Sequence, residues 1–400
     1  MFQRKLYSNI SAHTAAKEYT ILIGARQTGK STLLRQLSEE LKRSYKTVVF
    51  LNLERKDILL ELNQSPENVF KYCPLQDAQK AIVLIDEIQY LSDPTNFLKL
   101  LYDEYADRLK VIATGSSAFY IDRQFNDSLA GRKKIFELQT LDFEEFLQFK
   151  KQDVLLGELV NLRANLIQKS TYENQLWLML DEYSNYGGYP AVVLESDISA
   201  KIERLQDLRD SFVKRDILEA GITDETKFYR LMMVLASQSG NLLNVSELSN
   251  TLRLPNSVVD NYLFVLQKCF HITLVKPYFQ NIRKELTKMP KIYFNDLGLR
   301  NVLINYFGHI EQRSDKGALL ENLVFRRQIE LNPKDSVKFW HTADGNEVDF
   351  VIETSFQNGD AIEVKFSENE AKPSKYRKFT EAYPAFPLRF LSWGNTDLLK

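Results

Sequence analysis

The chain has 400 residues, and 52 lysines and arginines stand against 53 aspartates and glutamates, so its formal net charge is -1. This length suffices for two or three domains with their own cores, which excludes a small scaffold stapled by disulfides or metals. Hydrophobic residues make up 44% and charged residues 26%, which excludes wholesale disorder and, with the balanced charge, a polycation that coats nucleic acid.

The sequence indicates a soluble, cytoplasmic protein. Its two cysteines, Cys73 and Cys269, lie far apart and without metal-ligand spacing, so neither a disulfide framework nor a zinc site is predicted. Residues 1–20 carry scattered charges instead of the apolar centre of a secretory signal. No run approaches the roughly 20 apolar residues of a membrane helix, so no membrane partner is expected.

Residues 1–150 alternate short apolar runs with amphipathic segments. A helix is predicted at 31–42, and strands are predicted at 19–23, 47–53, 81–85, 110–114 and 134–138. Continuous apolar strands that alternate with helices are typical of a parallel sheet covered on both faces, because neither face of such strands meets water. This region is therefore predicted to be one α/β domain.

Residues 151–310 change to a helical period. Helices are predicted at 155–169, 172–183, 200–220 and 226–238. Two shorter helices, at 244–252 and 257–270, are then joined by a tight turn and followed by strand-like runs at 272–275 and 291–294. That layout is typical of a winged helix, which we predict over about 222–310.

Residues 311–400 form the third predicted module, of α/β type. A helix at 317–331 precedes strand-like runs at 337–341, 347–352 and 360–366. No internal repeat or low-complexity segment is evident in the sequence. Three modules on one chain is therefore the simplest interpretation.

A phosphate-binding motif lies between the first predicted strand and the first predicted helix. Its fixed positions, G-x-x-x-x-G-K-[ST], are all matched. The glycines let successive N–H groups face the phosphates of ATP, the lysine neutralises the terminal phosphates and the serine hydroxyl binds Mg²⁺. The predicted nucleotide-contacting residues are Gly24, Ala25, Arg26, Gln27, Thr28, Gly29, Lys30, Ser31 and Thr32.

Two acids follow the apolar run 81–85. Asp86 is predicted to hold Mg²⁺, and Glu87 is predicted to orient or activate the attacking water. Glu87 favours hydrolysis over nucleotide binding alone. The alternative interpretation of the pair is a solvated strand end.

Further candidates for the ATP site lie beyond the next strand. Thr114 ends that strand and is a candidate sensor of the γ-phosphate, whereas Ser116 and Ser117 fit a turn or helix cap equally well. Arg132 and Arg215 are candidate arginine fingers that act across a subunit boundary. Surface ion pairing is the alternative for both arginines, and a homo-oligomer is expected if either acts in trans.

Six segments occur in a specific order along the chain: 24–31, Leu84–Gln89, Ala113–Ser117, Leu129–Arg132, Leu141–Phe146 and Gly187–Pro190. This set resembles a family of prokaryotic AAA-type ATPases that couple an ATPase core to a C-terminal domain of unknown function. The resemblance covers essentially the whole chain. It implies an AAA+-like core, a helical and winged-helix middle and a C-terminal nuclease-like fold, and it leaves the substrate open. The family usually has proline before a Leu-Ser-Phe-x-Glu-Phe segment, where this chain has Thr140-Leu141-Asp142-Phe143.

A second group of charged residues lies in the C-terminal third. Asp349 is followed by Glu363 and Lys365, which the two-residue period of a strand places on one face. The two acids can share Mg²⁺ or Mn²⁺, while the lysine steadies an attacking hydroxide. Glu321, on the preceding predicted helix, can supply a further acid.

This arrangement resembles the PD-(D/E)xK nuclease superfamily, with Glu321 in the matching helix position. Val348, Phe350, Ile362 and Val364 alternate with the charges, which clusters the acids on one side. One alternative is an ordinary hairpin with a solvated face. Another is a nuclease-like fold that binds a partner without cutting.

The predicted winged helix offers few groups for reading bases. Its second helix, 257–270, contains no arginine, so core packing or protein contact is the favoured interpretation. Four basic residues at the expected wing suit phosphate contact without sequence choice, and a solvated hairpin is the alternative. They are Arg283, Lys284, Lys288 and Lys291, with Glu285 among them.

The sequence thus predicts an ATP-hydrolysing AAA+-like protein whose nucleotide state is linked to a C-terminal, metal-dependent, nuclease-like module. Its expected cofactors are ATP and Mg²⁺, with Mg²⁺ or Mn²⁺ at the C-terminal site, and its expected partners are DNA or RNA. The alternative is an ATP-gated switch whose C-terminal fold docks a partner without cleavage.

Overall fold

A computed structural model describes residues 3–75, 80–115, 129–279, 285, 288–342 and 344–400, without the side chains of 212–214, 216 and 218. The chain divides into two compact units. The N-terminal unit contains residues 1–140 and 268–270, and the C-terminal unit contains residues 141–267 and 271–400.

The N-terminal unit is built on a five-stranded sheet. Its strands are β1 (Tyr19–Ile23), β2 (Val48–Asn52), β3 (Ala81–Asp86), β4 (Leu109–Gly115) and β5 (Lys133–Glu137). The helices of this unit are Leu6–His13, Lys30–Leu41, Lys56–Gln64, Val69–Tyr72 and Pro94–Tyr105. The predicted α/β class is confirmed, and each predicted strand is present within one or two residues.

All strand pairs of this sheet are parallel, in the order β2-β3-β4-β1-β5. Successive residues point to opposite faces, so Ile21 and Val83 join one cluster of buried side chains, whereas Leu22 and Ile82 join another. Every residue of β1, β3 and β4 is buried, which explains why their sequences are mainly apolar. Because these three strands are parallel neighbours, their carboxyl ends lie together at one edge of the sheet.

The C-terminal unit begins with helices. Before the hairpin they are Phe143–Phe149, Asp153–Arg163, Glu173–Tyr186, Pro190–Val193, Ile198–Ala220, Glu225–Ser237, Val245–Leu252 and Asn256–Lys268. The hairpin pairs β6 (Ile272–Val275) with β7 (Lys291–Phe294) in antiparallel register. Helices at Leu297–Leu303 and Lys316–Leu331 follow.

A four-stranded mixed sheet lies in the last part of this unit. Its strands are β8 (Val337–His341), β9 (Glu347–Ser355), β10 (Asn358–Lys365) and β11 (Leu388–Ser392), with short helices at Arg377–Ala382 and Thr396–Leu399. The strands are arranged in the order β11-β10-β9-β8. The first three strands overlap the predicted runs, and β9 extends three residues beyond its predicted end at 352. The fourth was not predicted, because its five residues alternate irregularly and include an exposed Arg389.

One cluster of buried apolar side chains runs through the C-terminal unit, with members from Leu141 to Leu399. The helical and mixed-sheet parts of the unit therefore share a core. The division into modules at 150 and 310, with a winged helix between, stays a prediction. Within the described residues, no helix has the length and apolar character needed to cross a membrane, and both cysteines are buried.

Candidate functional site

The loop after β1 has a backbone that its glycines make possible. Gly24 has a φ of +150° and Gly29 a φ of +96°, both outside the usual range of residues with a side chain. A Cβ atom on Gly24 would lie 2.1 Å from the carbonyl oxygen of Leu138. Leu138 is held there because its N–H donates to the carbonyl of Ile23 over 2.8 Å. Position 24 therefore requires glycine, because any side chain there would collide with the carbonyl of Leu138.

Lys30 begins the helix Lys30–Leu41 and is buried. Its ammonium group donates to the carbonyls of Gly24 and Ala25 over 2.8 and 2.7 Å, so it lies at the centre of the loop. Thr28 also donates to the carbonyl of Ala25, over 2.9 Å. A lysine ammonium beside the N-terminus of a helix is an attractive environment for phosphate.

Three side-chain oxygens meet where β3 and β4 end. The hydroxyls of Ser31 and Thr114 both donate to Oδ1 of Asp86, over 3.0 and 2.5 Å. Asp86 and Thr114 are buried, and Ser31 is partly buried. Carboxylate and hydroxyl oxygens are the ligands that Mg²⁺ takes beside a nucleotide, so this donor set fits the predicted ion.

Glu87 follows directly in a left-handed backbone conformation, with a φ of +59°. Its N–H donates to Oγ1 of Thr114 over 3.0 Å, and its carboxylate accepts a hydrogen bond from the side chain of Gln89. Such backbone strain in a residue with a side chain is typical of functional sites. Thr114 thus links the acid of β3 to the residue predicted to position water.

The remaining predicted nucleotide contacts differ in exposure. Ala25 and Arg26 are buried, whereas Gln27 and Thr32 are exposed. Gln27 has a φ of +60°, which continues the unusual path of the loop. Ser116 and Ser117 lie outside the described residues.

The structure does not bring Arg132 to the P-loop of its own chain. Arg132 directly precedes β5, whose Lys133 pairs with Tyr19 at the start of β1, whereas the P-loop follows the end of β1. Its guanidinium pairs with Asp103 over 2.6 Å. Action in trans stays a prediction for Arg132 and for Arg215, which lies on the helix Ile198–Ala220 of the other unit.

Arg4 supports the P-loop and was not predicted from the sequence. Its buried guanidinium donates to the carbonyls of Thr28 and Gln139, over 2.8 Å each. It therefore ties the loop to the segment that follows β5. No local pattern marks an arginine for this role, because its partners lie 24 and 135 residues away.

We expect Arg4→Met to lower the free energy of unfolding by about 1–3 kcal/mol, because the buried carbonyl of Thr28 and the partly buried carbonyl of Gln139 lose a charged donor. ATP binding should weaken as the loop loosens. Circular dichroism during denaturation and titration with a fluorescent ATP analogue measure both effects. Lys5→Met, at the exposed neighbouring position, is the control, and equal behaviour of the two variants would contradict the role of Arg4.

The second predicted group is brought together in the C-terminal unit. Asp349 on β9 and Glu363 on β10 are buried neighbours, and the N–H of Asp349 donates to Glu363 over 3.3 Å. The N–H of Val364 donates to Oδ2 of Asp349 over 2.8 Å. Lys365 donates to Oε1 of Glu363, and Tyr376, which was not predicted, donates to the same oxygen over 2.7 Å.

Burial and the neighbouring Asp349 raise the pKa of Glu363 to about 7, against the opposing effect of Lys365 and Tyr376. Burial lowers the pKa of Lys365, but its ion pair with Glu363 more than offsets this, so the pKa stays above its usual value. Lys365 is therefore charged at neutral pH.

Glu321, the predicted helix-borne acid, joins the same group. Lys291 of β7 donates to Oε1 of Glu321 over 2.9 Å and to Asp349 over 3.3 Å, and it also pairs with Glu347 over 2.5 Å. Tyr293, two residues after Lys291, donates to Oε1 of Glu321 over 2.6 Å. We call Glu321, Glu347, Asp349, Glu363 and Lys291 the acid centre.

Burial and Asp349 raise the pKa of Glu321 to about 7, whereas Lys291 and Tyr293 oppose the shift. Burial also lowers the pKa of Lys291. The nearby Tyr293, Glu321, Asp349 and Glu347 outweigh that effect, so the pKa of Lys291 stands well above its usual value. Its ammonium group is therefore charged.

The position of Lys291 corrects the predicted basic strip. Lys291 is 2% exposed and faces carboxylates, so it is not a phosphate-contacting residue of a wing. Lys288 is exposed, and Glu285 pairs with Lys338 over 2.8 Å. Arg283 and Lys284 lie outside the described residues.

The acid centre does not fit a divalent metal as it stands. It borders an open cavity of about 580 Å³, lined also by Lys365 and Tyr376. However, among the residues described, no group of three or more histidine, cysteine, aspartate or glutamate side chains is placed to hold a metal ion. The cation that Glu321, Glu347 and Asp349 share is the ammonium of Lys291.

The N-terminal unit, with its parallel sheet and P-loop, has the fold of a P-loop NTPase domain of the AAA+ type. Residues 16–147 match the family described as an AAA domain. Residues 178–309 and 316–392 match two further families, each described as a domain of unknown function.

Similar proteins are found in bacteria and archaea. An uncharacterized protein of Haemophilus influenzae is 28% identical over 341 residues, which cover 83% of this chain and 78% of that protein. An uncharacterized protein of Methanocaldococcus jannaschii is 25% identical over 371 residues, which cover 90% of this chain and 77% of that protein.

Among solved structures, the ADP form of the Aeropyrum pernix ORC2 protein is 14% identical, covers 75% of this chain and 90% of its own, and has a TM-score of 0.36. The Aeropyrum pernix ORC1 protein in complex with DNA is 11% identical, covers 75% and 91%, and has a TM-score of 0.33. Likeness at these scores is too slight to support a conclusion about function.

Proposed function

We propose that this protein binds ATP with Mg²⁺ and hydrolyses the ATP. The observation that carries the proposal is the meeting of Lys30, Ser31, Asp86 and Thr114 at the carboxyl ends of β1, β3 and β4. The N–H groups of residues 24–29 and the ammonium of Lys30 would hold the phosphates. Ser31 and Asp86 would hold the metal, which neutralises charge on the transferred phosphoryl group.

Glu87 is the residue we assign to the attacking water. Its carboxylate is held by Gln89 and its backbone by Thr114, so it has a defined position next to the proposed metal ligand Asp86. A carboxylate placed in this way can orient water and accept its proton. Thr114 would keep this geometry and, as the sequence predicts, contact the γ-phosphate.

For the C-terminal unit we propose a docking role under the control of the ATPase cycle. The observation that favours docking over cleavage is the ammonium of Lys291 among three carboxylates. The helices Val245–Leu252 and Asn256–Lys268 and the hairpin β6–β7 have the order of a winged helix. Asn256–Lys268 has Lys268 as its one basic residue, which suits a protein partner better than the bases of DNA.

The second candidate is the metal-dependent nuclease predicted from the sequence, with DNA or RNA as substrate. It is favoured by the convergence of Asp349, Glu363 and Lys365 at an open cavity. If an arginine such as Arg132 completes the ATP site of a neighbouring chain, either candidate works as a homo-oligomer.

Cleavage assays separate the two candidates. Purified protein is incubated with labelled single- and double-stranded DNA and RNA, with Mg²⁺ or Mn²⁺, with and without ATP, beside Asp349→Ala. The docking proposal expects no cleavage from either protein and equal ATP hydrolysis. Cleavage by the unmodified protein that is lost in Asp349→Ala would instead establish the nuclease, and Lys30→Ala would reveal contaminating ATPase activity.

A further inference from the structure

We propose that Lys291 is a built-in cation of the acid centre, which occupies the position of a divalent metal and prevents metal binding at Glu321 and Asp349. This inference concerns the C-terminal unit alone and does not depend on ATP hydrolysis at the P-loop. It assigns to Lys291 a function that its place in the sequence, at the expected wing, did not suggest.

The ammonium group lies among carboxylates that come from separate elements of the fold. Glu321 comes from the helix Lys316–Leu331, whereas Glu347 and Asp349 come from β9. Their oxygens nevertheless converge on one nitrogen, at 2.9, 2.5 and 3.3 Å. Carboxylates from separate elements that meet at one point form the usual oxygen shell of a metal, and here a lysine fills it.

Protein donors other than Lys291 also engage oxygens of the centre. Oε1 of Glu321 accepts from Tyr293 as well as from Lys291. Oδ2 of Asp349 accepts from the N–H of Val364. Oε1 and Oε2 of Glu363 accept from side-chain and backbone donors that include Tyr376. A metal would have to displace several of these hydrogen bonds.

The contacts of Lys291 fix its position, so its ammonium group cannot easily move away from the carboxylates. Its backbone pairs with Val275 in the hairpin and with Leu242 through an isolated bridge. Its ammonium also lies 5.6 Å from the centre of the Phe339 ring. A divalent ion among the same carboxylates would be repelled by this fixed positive charge, which is poorly screened because it is buried.

The consequence is a permanent ion-pair cluster in place of a metal centre. It joins β7 to the helix Lys316–Leu331 and to β9. Such a cluster specifies how these elements pack and leaves the acids unable to activate a phosphodiester through a metal. The C-terminal unit would then dock a partner without cutting it.

The test measures binding of Mn²⁺ itself, by the loss of the free-ion signal in electron paramagnetic resonance, without ATP. Every protein in this experiment carries Asp86→Asn, so that the P-loop contributes no metal site. We expect this chain and its Asp349→Asn derivative to bind Mn²⁺ equally. A site in the presence of Lys291 that is lost with Asp349→Asn would overturn the proposal.

The second arm removes the lysine. In the same background, Lys291→Met should gain one Mn²⁺ site, Lys291→Arg should not, and Asp349→Asn should abolish the gain. Failure of the folded Lys291→Met chain to gain a site would also overturn the proposal, because the acids would then not be a cation site. If Lys291→Met does not fold, Lys291→Gln, which keeps a polar end, takes its place with the same expected results.

ATP hydrolysis is measured separately, on chains that retain Asp86. A chain that hydrolyses ATP yet has an Asp349-dependent Mn²⁺ site contradicts the role of Lys291 and leaves the ATPase proposal standing. A chain that excludes Mn²⁺ yet does not hydrolyse ATP supports the role of Lys291 and contradicts the ATPase proposal.

Discussion

Glu87→Gln is expected to slow ATP hydrolysis by about 10²- to 10⁴-fold, the usual contribution of a positioned general base. The amide keeps the size of the side chain but cannot accept a proton from water. The N–H of Glu87 that donates to Thr114 is unaffected, because it belongs to the backbone. Phosphate-release kinetics measure the loss.

ATP affinity of the same variant should change little, because Glu87 is not among the proposed phosphate or metal ligands. A fluorescent ATP analogue with Mg²⁺ tests this directly. Glu39→Gln, at an exposed position of the helix that follows the P-loop, is the matched control. If Glu87→Gln retained full turnover, Glu87 would not act on the water, and if it lost ATP binding instead, its role would be in the nucleotide pocket.

Gly24→Ala is expected to destabilise the N-terminal unit by about 3 kcal/mol or more, in the range of strongly disruptive substitutions. The new Cβ would lie 2.1 Å from the carbonyl oxygen of Leu138, and the φ of +150° disfavours any side chain. The neighbouring carbonyl cannot easily move, because Leu138 continues directly from β5 and is bonded to Ile23. The P-loop would shift, and ATP binding should be lost with it.

Gly29→Ala is the control, because it introduces backbone strain without a steric clash. Its φ of +96° is also unfavourable, but a Cβ there meets nothing within 4 Å. We expect a cost of about 1–2 kcal/mol from backbone strain alone. Denaturation followed by circular dichroism measures the stability of both variants. A smaller loss of stability for Gly24→Ala than for Gly29→Ala would show that the Leu138 carbonyl moves away at little cost.

Much of the fold could be predicted because its signals are local. The strands β1, β3 and β4 are mainly apolar runs, and such runs are typical of strands buried on both faces. Gly24, Gly29, Lys30 and Ser31 lie within eight consecutive positions, so one loop brings them together whatever the rest of the chain does. β11 was missed because a short strand with an exposed Arg389 has no clear period.

Which residues meet at each of the two sites depends on contacts between positions that lie far apart in the sequence. The sequence by itself determined the parallel-sheet class, the P-loop, the acids at the end of β3 and the order of Asp349, Glu363 and Lys365. Only the tertiary structure decided that Arg4 ties down the P-loop and that Lys291 enters the acid centre. Lys291 and Asp349 are 58 residues apart. Their meeting results from how β7 packs beside β9 and the helix Lys316–Leu331, and an isolated lysine in a sequence does not reveal which carboxylates will surround it.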